Sequence, residues 1–273
     1  MRLLPLSAFD GLLAPMRGKR MGYIRGEHGN VGDTLQERAA YELFRLQGLD
    51  VQWLGPVAPG REPWDWEKRD GMWQGTAPAG LDGLLLFGGG NMGLPGGSSA
   101  IRAKAAALGL PMTCLPNSWR APERLSGQVR YCARESESIR LYCPEAELWP
   151  DMALSFNFPD NLQATYPVRR KLGVFLRNDR ESKFSGRNVP GNEGPAFGRI
   201  KKRDIHGYME LAASFETVVT DALHFSICAL AAGRRVYLLP GAYPKNYGMW
   251  STWLRDLGCL WADDPDQIEE LRP

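Results

Sequence analysis

No window of this 273-residue chain approaches the roughly 18 uninterrupted apolar residues of a membrane-spanning helix, so an integral helical membrane protein is not expected. A surplus of one charge is missing too. Lys and Arg number 33 against 31 Asp and Glu, and no stretch concentrates the difference, so neither a nucleic-acid partner nor a basic membrane-binding helix is expected. Cysteine is sparse: Cys114, Cys132, Cys143, Cys228 and Cys259 are widely spaced, form no C-x-x-C pair or Cys/His zinc pattern, and read as reduced thiols in a cytoplasmic protein. The three histidines, His28, His206 and His224, show no pair at ligand spacing beside a carboxylate cluster, so no metal site is expected. There is no G-x-x-x-x-G-K-[ST] stretch, which argues against a P-loop nucleotidase. Near the N-terminus Pro5, Asp10 and Gly11 interrupt the apolar run, and a signal peptide is not expected.

What is present is a globular composition, 44% hydrophobic and rich in glycine, at a length that fits one large or two medium domains of about 150 residues. A short strand over 21–25 runs into the turn Gly26-Glu27-His28-Gly29-Asn30-Val31-Gly32-Asp33. Asp33 can cap a following helix, with Gln36 at capping-box spacing; Leu35, Ala39, Leu43 and Leu46 mark its apolar face and Gly48 its end. A strand over 51–54 completes a β-loop-α-β unit. Residues 56 to 80 lack a sustained period and read as a surface insertion. The pattern then repeats: strand 84–87, the loop Gly88-Gly89-Gly90-Asn91-Met92-Gly93, a helix over 99–108 and a strand over 111–115. Segments 131–134 and 154–158 can extend the sheet.

Residues 159 to 170 read as a linker, which places a domain boundary near 165 and divides the chain into 1–165 and 166–273. The second part offers a strand over 172–176, a long polar stretch over 178–200, a helix over 204–215 and a strand over 217–220. A helix over 221–232 stopped by Gly233 and a strand over 236–240 follow. The expected fold is α/β: two Rossmann-like domains facing across a cleft, because ligands of such sheets collect at the carboxyl ends of the strands.

The glycine loops read two ways, as tight turns or as places where a sugar or phosphate approaches backbone N–H groups. The second satisfies G-x-G-x-x-G literally but continues into Leu94-Pro95-Gly96-Gly97, and the acid that a dinucleotide fingerprint wants about 20 residues on is absent. Asn30, beside a helix start, can both accept from and donate to ligand hydroxyls. In Asp221-Ala222-Leu223-His224-Phe225-Ser226-Ile227-Cys228 an imidazole sits in the first turn of an otherwise apolar helix. Such a helix is buried, which leaves Asp221 and His224 at its open end, where free N–H groups attract anions. There His224 is the candidate proton donor. Arg177 and Lys245 fall on loops at the same strand edge, and two cations with a histidine describe a site for a small, multiply charged anion. Trp64, Trp66 and Trp73 in the insertion are either sugar-stacking platforms or loop anchors. His206 is expected on a surface helix.

These residues, in this order, resemble the polysaccharide pyruvyl transferase family. Gly29-Asn30-Val31-Gly32-Asp33 resembles its G-N-x-G-D, Leu86-Phe87-Gly88-Gly89-Gly90-Asn91 its second glycine loop, and Arg134-Glu135-Ser136-Glu137-Ser138 its R-[DE]-x-x-S. Pro150-Asp151-Met152-Ala153 resembles the P-D-x-A segment, and 221–233 the final histidine helix, with Lys245 after the next strand. Ala222 stands where many relatives carry arginine, so one donor-binding cation of the family is missing.

The resemblance implies a GT-B-like pair of domains and transfer of pyruvate from phosphoenolpyruvate, as co-substrate, onto two hydroxyls of a sugar or lipid-linked saccharide of a surface polysaccharide. It implies His224 and Asp221 in catalysis, Arg177 and Lys245 on the donor, and Asn30, Asp33, Gly89, Gly90 and Asn91 facing the acceptor. A cytoplasmic enzyme follows, with room for peripheral membrane association; the oligomeric state is open. The alternatives are a GT-B-type glycosyltransferase using a sugar nucleotide and a non-catalytic sugar-binding descendant.

Overall fold

The computed structural model describes residues 1–26, 29–55, 73–201 and 204–271; Glu27, His28, Trp64 and Trp66 lie outside them. The chain divides into an N-terminal unit, Leu4–Gly29 with Gln36–Phe156, and a C-terminal unit, Asn157–Pro273 with Met1–Leu3 and Asn30–Leu35. The main division thus runs between Phe156 and Asn157, ahead of the linker read from the sequence, and the segment that opens the second helix counts with the C-terminal unit.

In the N-terminal unit, one turn of helix, α1 (Asp10–Leu13), precedes β1 (Arg20–Ile24), α2 (Val31–Leu46) and β2 (Asp50–Leu54). Then come β3 (Gly83–Leu86), β4 (Gly89–Met92), α3 (Gly97–Ala106), β5 (Met112–Trp119), β6 (Val129–Ala133), α4 (Ser136–Leu141) and β7 (Glu147–Leu148). All pairs are parallel in the order β2-β1-β3-β5-β6-β7, with β4 beside β5. Parallel strands must be covered on both faces. Accordingly Leu84, Leu85, Leu86, Cys114 and Leu115 are buried without alternation. β2 and β3 lie on opposite sides of β1, so the winding reverses between β1 and β3, and both glycine loops leave the sheet there. Such a reversal is where open α/β sheets bind ligands.

The C-terminal unit contains α5 (Leu162–Thr165), β8 (Arg170–Phe175), α6 (Ala196–Arg199), α7 (Ile205–Ala213), β9 (Phe215–Thr220), α8 (Leu223–Ala231), β10 (Arg235–Leu238), α9 (Lys245–Met249) and β11 (Leu260–Trp261). Its four strands are parallel in the order β11-β10-β9-β8. Each unit is therefore a Rossmann-like α/β layer, and two in one chain make the GT-B-like composition expected from the sequence. Gly233 ends α8 with φ 67°, a left-handed conformation that glycine takes without steric cost.

Three local expectations need correction. Residues 154–158 form no strand: Asp151 caps a 3-10 turn over Met152–Ser155 by accepting from the Ala153 N–H at 2.8 Å, and the short β7 extends the sheet instead. Leu46 is exposed, because the apolar face of α2 ends at Leu43 and Phe44. Asp33 does not open α2. Asn30 does, its Oδ1 accepting from the Gly32 N–H at 2.8 Å, while Asp33 reaches back to accept from the Asn30 N–H at 2.8 Å. That reciprocal pair is a capping box shifted by one turn, and it leaves Gln36 for other use.

Gln36 donates to Asp151 Oδ2 at 2.7 Å, the oxygen that also accepts from Arg134 at 2.7 Å; Arg134 Nε donates to Ser118 Oγ at 2.8 Å. Arg134 and Asp151 are both buried. Glu135 caps α4 by accepting from the Ser138 N–H, and Ser138 Oγ accepts from the Trp119 N–H. The two central motifs are therefore one buried polar network tying the ends of β5 and β6 to α2. Breaking a buried pair by removing one partner strands the other charge. Asp151→Ala is expected to cost about 3–5 kcal/mol, read as a lowered urea midpoint. All five cysteines are unbridged and buried, and burial pushes the Cys132 and Cys259 thiols up to about 12 and Cys143 to about 11. Thiolate is the reactive form. At pH 8 the native protein should therefore leave a thiol reagent unconsumed that reacts promptly after unfolding in urea.

Candidate active site

The carboxyl ends of the C-terminal strands are bound to one another before any ligand is considered. Thr220 Oγ1, at the end of β9, donates to the Phe175 carbonyl at the end of β8 at 2.7 Å. Asn246 donates to the carbonyls of Asp221 and Leu239 at 2.8 and 2.9 Å, joining the ends of β9 and β10. Asp221 belongs to this brace. It precedes α8 instead of opening it, is buried, and accepts from the Arg177 N–H at 2.8 Å and from Ser182 Oγ. Burial raises its carboxyl above the ordinary aspartate value, while these hydrogen bonds oppose the rise. The carboxylate that the resemblance assigns to catalysis is thus engaged in closing the turn after β8.

Arg177 and Lys245 do emerge at one edge. The Arg177 guanidinium is paired with Asp179 at 2.7 Å and with Glu181 at 3.4 Å, and it lies over the Phe197 ring at 4.9 Å. Lys245 opens α9 instead of lying on a free loop, and its Nζ meets Glu181 at 2.9 Å and faces the Tyr243 ring at 4.9 Å. The sequence reading missed Asp179, Glu181 and Ser182. They lie in a polar stretch with no periodic signal, and the pairing of Ser182 with Gly241, together with the Ala242 N–H donating to the Glu181 carbonyl at 2.9 Å, brings them beside Lys245.

His224 stands apart from this cluster of charges in character. Every other residue of α8 is buried, and Phe225 packs against Phe175 and Tyr208 with ring centroids at 4.9 and 5.1 Å. His224 alone on that helix is partly exposed. Ala222, the residue before α8, offers no side-chain cap to the first-turn N–H groups. Gly32 lies against the imidazole: a Cβ there would come within 2.4 Å of Nδ1 and 2.8 Å of the histidine Cβ. Both belong to the C-terminal unit. The first glycine motif and the histidine helix, almost two hundred residues apart in sequence, therefore meet at the imidazole.

In the N-terminal unit Gly89, Gly90 and Asn91 form β4 rather than an open loop. Asn91 Nδ2 reaches Ser98 Oγ at 3.5 Å. Behind them the buried Arg102 forks onto Glu123 at 2.9 and 2.7 Å, Glu123 accepts from the Gly93 N–H at 2.7 Å, and Asn117 donates to the Phe87 carbonyl at 3.1 Å. Gly93 has φ 80° and its Cβ would sit 1.9 Å from the Ala121 carbonyl oxygen, so glycine is required there. Asn30 and Asp33 spend Oδ1 and Oδ2 respectively on the capping box of α2. Trp73 is buried, its Nε1 donating to the Thr76 carbonyl at 2.6 Å, and is a loop anchor. His206 is exposed on α7. A separate pocket, lined by Met16, Met21, Met112 and Arg130, lies at the amino ends of the N-terminal strands and contains none of the motif residues.

No protein-family model matches the chain, and no curated protein does. Among solved structures, an uncharacterized protein of Klebsiella pneumoniae subsp. pneumoniae NTUH-K2044 superposes with a TM-score of 0.64 at 18% identity, covering 94% of this chain and 97% of that one. The two share a fold over nearly their whole lengths. Fainter likenesses are to the UDP-GlcNAc 2-epimerase of Methanocaldococcus jannaschii, TM-score 0.45 at 9% identity over 92% and 91% of the chains, and to S. aureus MnaA with UDP, 0.47 at 10% over 83% and 81%.

Gly32 has an ordinary backbone conformation, so the need for glycine is one of space. Gly32→Ala should displace the imidazole and shift the His224 side-chain NMR signals while the circular dichroism spectrum stays unchanged. Asp221→Ala leaves the Arg177 N–H and the Ser182 hydroxyl buried without their acceptor, and should lower stability by about 1–3 kcal/mol, measured as a fall in Tm.

Proposed function

We propose that the protein transfers a group from a phosphate-bearing donor to a sugar hydroxyl, and that the donor is phosphoenolpyruvate. The observation that carries this reading is the contact of Gly32 with His224: the first and the histidine-bearing members of the pyruvyl-transferase-like motif series converge on one imidazole. In this chemistry His224 gives a proton to the methylene carbon of phosphoenolpyruvate, and a sugar hydroxyl adds to the adjoining carbon as it loses its own proton. The C–O bond to phosphate then breaks, and a second hydroxyl closes the ketal. The sum is one phosphoenolpyruvate and one diol giving one ketal and one inorganic phosphate. The uncapped start of α8 supplies N–H groups to the phosphate. Arg177 and Lys245 supply positive charge for the donor. A donor of this kind implies work in the cytoplasm, on a sugar or lipid-linked precursor of a surface polysaccharide.

A specific observation favours a second reading. Asp179 and Glu181 stand among the cations, and carboxylates at that place suit the vicinal hydroxyls of a nucleotide ribose, which would make the protein a GT-B-type glycosyltransferase using a sugar nucleotide.

The two donors separate in one experiment. With phosphoenolpyruvate and a panel of saccharides, inorganic phosphate should be released, and His224→Ala should reduce the rate by about 10²–10⁴ while phosphoenolpyruvate still protects the variant against heating. Protection by a nucleoside diphosphate, with none by phosphoenolpyruvate, replaces the first reading by the second. Saccharide binding that His224→Ala leaves intact, with no turnover from either donor, identifies a binding protein.

A further inference from the structure

Register alone puts Met21, Gly83, Thr113 and Arg130 on one face of the N-terminal sheet. Met21 pairs with Gly83, Leu85 two residues further along pairs with Thr113, and Thr113 pairs with Arg130. The segment ahead of β1 covers that face, since Arg130 Nη1 donates to the Leu12 carbonyl at 2.7 Å and Met16 is buried. The cover is incomplete. At Gly83 the row has no side chain, and a Cβ there would lie 2.9 Å from both Met21 Cε and the Pro111 carbonyl oxygen. A cavity of about 380 Å³ opens at this place, wholly within the N-terminal unit. Its size falls at the lower end of the range of small-molecule sites.

The wall is largely methionine: Met16, Met21 and Met112 are 1%, 5% and 3% exposed, with Pro15 and Pro111 beside them. Thioether side chains adapt their shape and attract aromatic rings. One polar group inside has no use in the fold. Thr113 is 8% exposed, and its hydroxyl has no hydrogen-bond partner among the described residues. The other polar groups are engaged or solvated. Arg130 forks onto Glu147 at 2.8 and 2.5 Å and also donates to the Leu12 and Gly11 carbonyls, Asp82 accepts from the Arg20 N–H at 2.8 Å, and Lys19, Asp82 and Gln128 are exposed. An ion would lose its hydration against these walls and meet no buried counter-charge free to replace it. A buried hydroxyl without a partner, by contrast, costs free energy that a neutral ligand can recover.

We propose that this cavity is a second ligand site, for a small uncharged molecule with an aromatic ring and one hydrogen-bonding group that reaches Thr113 Oγ1. The inference goes beyond the transfer reaction and does not depend on it.

The test uses phenol as the probe, on full-length protein labelled with ¹³C at the methionine methyls. Phenol should move the Met16, Met21 and Met112 signals saturably and leave those of Met152, Met209 and Met249 in place, and benzoate, which carries a charge, should move none. Thr113→Val keeps the shape and removes the hydroxyl; it should weaken phenol by about three- to tenfold and leave toluene unaffected, while Thr113→Ser should bind phenol as the wild type does. Signals of Met16, Met21 and Met112 that stay put up to the solubility of phenol overturn the proposal. So does phenol binding that Thr113→Val leaves unchanged, or benzoate binding as tight as that of phenol. Should Thr113→Val not fold, the phenol and benzoate titrations of the wild-type protein carry the test.

Discussion

The candidate site depends on the absence of one side chain. Gly32 lies where any Cβ would press into the His224 ring, and α8 has no freedom to retreat, because its other residues are buried and its first turns are packed against aromatic rings. The imidazole is therefore held between a rigid helix and bare backbone. The ring occupies the one position of α8 that is not fully buried.

Within each unit the polar residues divide into those that cross-link strand ends and those that pair chiefly with one another. Asp221, Thr220 and Asn246 cross-link the carboxyl ends of β8, β9 and β10, while Arg134, Asp151, Gln36 and Ser118 do the same for β5, β6 and α2 in the other unit. Buried polar groups must find partners, and the ends of parallel strands, where the ladder stops, are where backbone groups most need them. Recurrent short motifs at strand ends are thus explained in large part by architecture. Arg177, Lys245, Asp179 and Glu181 form a different class: they pair with one another at the carboxyl edge of the C-terminal sheet.

Much of the architecture was legible because local chemistry and global fold agree. Uniformly apolar strands such as Leu84-Leu85-Leu86, glycine loops after two of them, and Gly48 and Gly233 after amphipathic or apolar helices carry their signals within a few residues. Where the reading failed, two local signals competed. Asp33 looked like a cap, but Asn30 holds that place and Asp33 closes the box from within the helix. The apolar run at 154–158 looked like a strand, but Asp151 is fixed by Arg134 and starts a tight turn there. In both cases a partner distant in sequence or one turn away decided, which no periodicity conveys.

The sequence by itself determined two α/β layers, unbridged cysteines, an apolar helix with a histidine in its first turn, and the placing of Arg177 and Lys245 at strand ends, since each follows from composition or spacing over short stretches. The tertiary structure decided which charges meet. That Glu181 bridges Arg177 and Lys245, that Asp221 turns toward the Arg177 N–H instead of toward a ligand, and that Gly32 abuts His224 all depend on strand order and on loops brought side by side. Electrostatic partnership is a property of distance in space, and a chain specifies that distance only through the fold it completes.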